Sequence, residues 1–234
     1  MVHKESQRVK KVLATAVLII VLFSSTLSAE TVPAFPLSQA EVNGFDRLFM
    51  QNYSENLDKA ATVLEIASLL TPAVLLAEST DQYVTIGVMY AETALIAWGT
   101  RTLLKTISER PRPYMYYEDY PQTSVDSGDW NKSFPSGHAV MSFAGASFAS
   151  YVFCKYNPDS KWRIPVIAAS YTLASATAAL RVASGNHFMT DVLAGAVLGT
   201  AIGIGVPALH TLLADKDAAV SVSPFGLVFS MSFR

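Results

Sequence analysis

Long stretches without charge constrain this chain more than any other feature. Residues 139–154, 164–180 and 192–209 contain no Asp, Glu, Lys, Arg or His. Each is far longer than an ordinary strand of about six residues, so the length argues for helices. Two further helical patterns, at 59–78 and 82–106, precede them, and the five expected helices fall at 59–78, 82–106, 137–155, 164–182 and 189–213. The predicted fold is therefore all-α, a bundle of about five to six helices. The last run, VLAGAVLGTAIGIGVPAL, is dense in Gly and Ala; residues this small let helix axes approach closely, as they do inside a bilayer. We therefore expect a membrane-embedded bundle. Glu65, Glu92 and Arg101 interrupt the first two helices, which keeps a soluble bundle open as the alternative.

Composition removes several classes of function. With 51% hydrophobic and 15% charged residues the chain cannot be intrinsically disordered. Seventeen basic against nineteen acidic residues give a net charge of -2, a poor field for the phosphates of nucleic acid, so no nucleic-acid partner is expected. The single cysteine, Cys154, excludes an internal disulfide or a cysteine-based zinc site.

Lys4, Arg8, Lys10 and Lys11 precede an uncharged segment, 12–29, that ends in small residues. Residues 1–29 read as an export signal peptide or an uncleaved N-terminal anchor. Ser24, Ser25, Thr26 and Ser28 weaken the segment as a permanent span. Residues 30–58 form a connector with one short amphipathic helix near Phe45–Met50, residues 59–214 the helical domain, and residues 215–234 a tail. In that tail Phe225, Leu227, Phe229, Met231 and Phe233 alternate with small or polar neighbours, a strand-like period. Lys155, Lys161 and Arg163 mark the 155–163 segment as cytoplasmic. Residues 107–136 and 183–188 then face the other side, the periplasm if the membrane is a bacterial inner membrane.

Those two outward segments hold the unusual polar residues. Lys105 is followed by Arg112-Pro113, with Pro111 and Pro113 ending the helix and holding Arg112 extended. Pro135-Ser136-Gly137-His138 directly precedes an apolar helix. Ser136 suits the N-cap, which leaves the Gly137 and His138 N–H groups at an anion-binding helix start. Arg181 precedes His187, and His187 and Asp191 lie four apart, so they can share one helix face. Three cations, a helix N-terminus, two histidines and a carboxylate suit a tetrahedral oxyanion in phosphoryl transfer. No metal-ligand spacing is present, so neither a metal nor another cofactor is expected.

The ordered spacing K-x6-R-P, P-S-G-H and R-x5-H-x3-D, from Lys105 to Asp191, resembles the type 2 phosphatidic acid phosphatase superfamily. That superfamily joins membrane lipid phosphate phosphatases, soluble class A acid phosphatases and vanadium haloperoxidases. The third motif departs at one point, with Leu180 where the family usually has Ser. The resemblance implies a helical bundle and a phosphorylated lipid substrate. It implies that His187 is the nucleophile forming a phosphohistidine, with Asp191 holding its other ring nitrogen. It gives His138 the general acid and then the general base role. Lys105, Arg112 and Arg181, helped by Ser136 and Gly137, would bind the phosphate oxygens. A soluble periplasmic acid phosphatase of broad specificity, or a vanadate-dependent haloperoxidase, are the alternatives that share such a site.

Outside the motifs, Arg110 next to Glu109 reads as a surface charge or a secondary substrate contact, and His3 and His210 as structural. The Tyr-rich stretch from Tyr114 to Phe134 reads as a specificity lid or as an interfacial aromatic belt. Glu92 and Arg101 either pair within the bundle or face water.

Overall fold

The computed structural model describes residues 34–77, 82–215, 219–223 and 226–230. The N-terminal segment read as a signal or anchor lies outside the described residues. The helices run in the order α1 (Gly44–Arg47), α2 (Glu55–Leu69), α3 (Tyr83–Ser108), α4 (Gln122–Asp126), α5 (Gly137–Tyr156), α6 (Arg163–Ala183) and α7 (Met189–Asp215). Two short strands follow, β1 (Ala219–Ser223) and β2 (Gly226–Ser230), paired antiparallel with Val220 opposite Phe229. The long α3, α5, α6 and α7 occupy nearly the residues expected from periodicity.

The first long helix differs from expectation at both ends. It starts at Glu55, inside the stretch read as connector, because Glu55 and Asp58 in the first turn complement the positive end of the helix dipole. It stops before Pro72, which has no N–H to continue the ladder, and residues 71–77 tighten into a 3₁₀ helix.

Helix α5 is the central element. Its face toward every neighbour is buried, with Val140, Ala144, Phe148 and Val152 among the enclosed side chains, as expected for a helix that is apolar all round. Leu75, Ile86 and Met89 pack against Phe148, Val152 and Phe153 in one core cluster. Ala97 joins Val140, Met141 and Ala144 in another. Helix α7 lies against α5 through the stripe Gly195, Gly199 and Gly203. A methyl group at Gly195 would sit 2.8 Å from the Ser136 carbonyl oxygen. At Gly199 and Gly203 it would collide with the Val140 and Ala144 carbonyl oxygens. The expected close approach of small-residue helices is thus a backbone-to-backbone contact.

Among the described residues, three segments are long and apolar enough to cross a membrane: Glu55–Leu76, Arg163–Ala183 and Met189–Leu212. Helix α5, wrapped by the others, is not one of them.

The helix ends converge at one end of the bundle. The Ser136 N–H donates to the Asp191 carbonyl (3.1 Å), that of Ser133 to Arg110 (2.9 Å), and that of Tyr114 to Gly185 (3.1 Å). Gly185 adopts φ +70°, and a methyl group there would lie 2.5 and 2.6 Å from the Gln51 and Asn52 carbonyl oxygens, so only glycine fits. These bonds tie the C-termini of α3 and α6 to the N-termini of α5 and α7.

Candidate active site

The three motif segments are brought together here. Arg112 has extended backbone (φ -77°, ψ 153°) after helix α3 ends at Ser108. Its guanidinium is buried, with a partner at each of its three nitrogens. Nε donates to the Asp129 carbonyl (3.0 Å), Nη2 pairs with Asp129 Oδ2 (2.7 Å), and Nη1 donates to the Asn186 carbonyl (3.3 Å). The same Nη1 lies 3.4 Å from His187 Nε2. Arg181, at the end of α6, pairs through Nη1 with Asp58 of α2. Its Nε has no partner among the described residues.

His187 is 1% exposed. Burial, followed by the charges of Arg112, Arg181, Lys105 and His138, pushes its imidazole well below the usual histidine range. The ring is therefore neutral near pH 7, the state in which a ring nitrogen is nucleophilic. Asp191 faces the other ring nitrogen, but the expected hydrogen bond is not formed: Nδ1 and Oδ2 are 3.7 Å apart, and Nδ1 is without a partner among the described residues. Asp191 Oδ2 instead accepts from Ser133 Oγ (2.6 Å) and the Phe188 N–H (2.9 Å). A carboxylate oxygen already holding two donors sits where those donors put it.

Arg110 overturns the reading of a surface charge. Nη1 pairs with Asp191 Oδ1 (2.6 Å) and donates to Thr190 Oγ1 (2.8 Å), Nη2 pairs with Asp46 Oδ2 (2.7 Å), and the guanidinium carbon stacks 4.1 Å above the Phe188 ring. Asp46, on the short α1, is fully buried and also accepts from the Thr190 N–H at 2.9 Å. Burial works to raise its carboxyl, but the bonds from Thr190, Arg110 and Asn43 win and hold it below the usual carboxylate range.

His138 occupies a different setting. Ser136 caps α5 as expected, its Oγ accepting from the Ala139 N–H at 3.5 Å, which sets the Gly137 N–H at the helix start. His138 Nε2 then reaches α2, 3.2 Å from Thr62 Oγ1 and 3.3 Å from Glu65 Oε2. Burial, then Arg101, Arg112 and Lys105, against Asp129, push its imidazole down to about 4. Arg101 lies directly on Gly137, where an added methyl would meet its Nη1 at 2.7 Å. Lys105, one turn further along α3, donates from Nζ to the Lys132 carbonyl (2.9 Å). Burial and Arg112, opposed by Asp129, push its amine down to about 7.

The Tyr-rich stretch is neither a lid nor a belt at its two ends. Tyr114 and Trp130 are buried with Met115, and Phe35 and Tyr53 pack against them, so the aromatics form the local core that holds Arg112. Of the two open charges in α3, Glu92 pairs with His210 of α7 at 2.5 Å. The structural reading of His210 fits that pairing.

The PAP2 superfamily model matches residues 83–214, more than half of the chain. The chain belongs to the PAP2 superfamily. Over 71 residues it is 37% identical to the lipid A 1-phosphatase of Porphyromonas gingivalis, an alignment covering 30% of this chain and 15% of that protein. Over 124 residues it is 32% identical to a probable diacylglycerol pyrophosphate phosphatase of Schizosaccharomyces pombe, covering 43% and 44% of the two. The chain thus spans less than half the length of these curated relatives. Two solved structures resemble it. One is a transmembrane PAP2-type phosphatidylglycerolphosphate phosphatase from Bacillus subtilis (22% identity, TM-score 0.41, 68% of this chain and 89% of that one). The other is LpxE from Aquifex aeolicus (21%, 0.46, 74% and 99%). Helix α2, which supplies Asp58, Thr62 and Glu65, lies outside the residues that match the PAP2 family model. Sequence reading missed these three as site residues, although their i, i+4, i+7 spacing puts them on one face of the helix.

Proposed function

We propose that this PAP2 chain is a metal-independent phosphatase that hydrolyses a lipid phosphate monoester or pyrophosphate through a phosphohistidine at His187, at the periplasmic face of a bacterial inner membrane. The observation that carries this reading is the Arg112 guanidinium 3.4 Å from His187 Nε2, a cation placed beside the nitrogen that would attack. The His187 Nε2 lone pair forms the N–P bond while the P–O bond to the lipid breaks. His138 gives its proton to the departing alkoxide. Water then attacks phosphorus, the N–P bond breaks, and His138 takes the water's proton. Lys105, Arg112 and Arg181, with the Gly137 N–H, neutralise the nonbridging oxygens, each such donor being worth about 100- to 1000-fold in rate. The lipid character of the substrate is supported by the membrane-length helices and by the named activities of the relatives.

The test is phosphate release by the detergent-purified chain, in EDTA, from phosphatidate, phosphatidylglycerol phosphate, undecaprenyl pyrophosphate, lipid A and p-nitrophenyl phosphate, with His187→Ala as the blank. A preference for one lipid supports the reading. Faster turnover of p-nitrophenyl phosphate than of every lipid would replace it with a broad-specificity acid phosphatase.

A further inference from the structure

Helix α2 reaches the site from outside the segment that matches the family model, and it does so with carboxylates. Asp58 takes Arg181 and Glu65 takes His138. The second contact is the more informative, because a histidine that must hold and release a proton responds to a neighbouring carboxylate in a way that an arginine does not. Glu65 is enclosed, its side chain 14% exposed against 22% for His138, so the pair is little screened by solvent. Thr62, one turn earlier, contacts the same Nε2 at 3.2 Å and fixes the ring from a second direction. The other charged groups facing His138 are Arg101 and Lys105 of α3, and Arg112 and Asp129 of the segment after it. His187 faces it from the start of α7. Apart from Asp129, which is already paired with Arg112, the facing charges are cations that oppose a second positive charge on the ring.

Accepting the proposed role of His138, we infer that Glu65 is a positioning residue for it: the Glu65 carboxylate holds the His138 ring and stabilises the imidazolium that protonates the leaving lipid alkoxide. In the first half-reaction the proton moves from His138 to the alkoxide. In the second it returns to His138 from the attacking water, so Glu65 keeps its charge throughout and no net proton is gained or lost by the pair. Burial and the cations of α3 and Arg112 already disfavour the charged ring, so without the carboxylate the imidazolium would be rarer still when the alkoxide leaves, though the neutral ring could still accept the proton from water.

The experiment compares full-length wild-type, Glu65→Gln, Glu65→Asp, His138→Ala and His187→Ala proteins in detergent, each checked for folding by thermal melting. The substrates are dioctanoyl phosphatidate, whose alkoxide needs a proton, and p-nitrophenyl phosphate, whose phenolate scarcely does. The expected result for Glu65→Gln is a kcat loss of about 30-fold on phosphatidate, part of the roughly 100- to 10,000-fold that a general acid contributes. The release burst of p-nitrophenol should change less than about 3-fold, and the alkaline limb of the phosphatidate kcat profile should move down by about one pH unit. Glu65→Asp should recover part of the loss. Equal losses on both substrates, or an alkaline limb unmoved, would overturn the inference; if Glu65→Gln fails to fold, the same readouts on Glu65→Asp decide it. The reading beneath it fails separately: an active His187→Ala protein, or a His138→Ala protein without leaving-group dependence, rejects the proposed mechanism itself.

Discussion

The two histidines of this site are held in opposite ways. His187 is held by burial and by Arg112 at Nε2, beside a closed polar lattice that its ring does not join, in which Ser133, Phe188 and Arg110 fix Asp191 while Asp46 and Thr190 fix Arg110. His138 leans on a single helix through Thr62 and Glu65, with Arg101 and Lys105 nearby. An attacking nitrogen must be aligned with phosphorus to within a fraction of an ångström, and close packing of the ring against a carboxylate that cannot shift serves that. A group that donates and then accepts a proton has to keep its orientation while its charge changes, and two side-chain partners on one helix suit it. The redundant bonds lie behind the nucleophile, on Asp191, and not on the ring itself.

The contrast can be broken most severely at its centre. Replacing His187 by Ala should lower kcat by at least about 10,000-fold while the melting curve shows a folded protein, since no other group can take over the covalent step. Next is the lattice around it. Arg110→Ala removes the bridge between Asp46 and Asp191, and kcat should fall about 10- to 100-fold, the usual cost of losing an orienting partner, with KM nearly unchanged. A rise in KM at constant kcat would instead make Arg110 a substrate contact.

Much of this is legible in the amino-acid sequence. The lengths of α3, α5, α6 and α7 follow from uncharged runs and their flanking breakers, and Lys105, Arg112, Ser136, His138, Arg181, His187 and Asp191 stand out because motif spacing puts them at helix ends. Arg110 is not legible. Its partners Asp46 and Asp191 are 64 and 81 residues away, and adjacency to Glu109 suggests a solvated pair. Glu55 and Asp58 look like connector because acidic residues are common in loops, yet in a first helical turn they are favourable. The stripe of Asp58, Thr62 and Glu65 is visible as a pattern. Its direction is not, because only tertiary packing turns it toward Arg181 and His138. The pairing of β1 with β2 matches a period-two alternation that by itself names no partner strand.

Smaller effects separate the cations from the histidines. Lys105, pushed down to about 7, is charged below that pH and loses its charge as pH rises through it. The kcat/KM profile should therefore fall above about pH 7, and Lys105→Arg, which stays charged, should carry the plateau at least one unit higher. A limb unmoved in Lys105→Arg would assign it to another group. The smallest expected change is none: millimolar EDTA should alter the rate less than about 2-fold, and inactivation reversed by a divalent cation would reject charge neutralisation by Lys105, Arg112 and Arg181 alone.

The glycine stripe of α7 has a consequence for how the protein meets lipid bilayers of different thickness. A membrane thinner or thicker than a helix changes that helix's tilt, at a modest cost for each ångström of mismatch. Helices α5 and α7 touch backbone to backbone at Gly195, Gly199 and Gly203, and Leu198 and Ile202 of α7 pack against Val140, Met141 and Ala144 of α5 beside that contact, which leaves them little freedom to shear. They must tilt as one body. His138, in the first turn of α5, and the turn of His187 are mounted on the ends of that body, so their separation is set by contact between the two helices and not by the surrounding lipid.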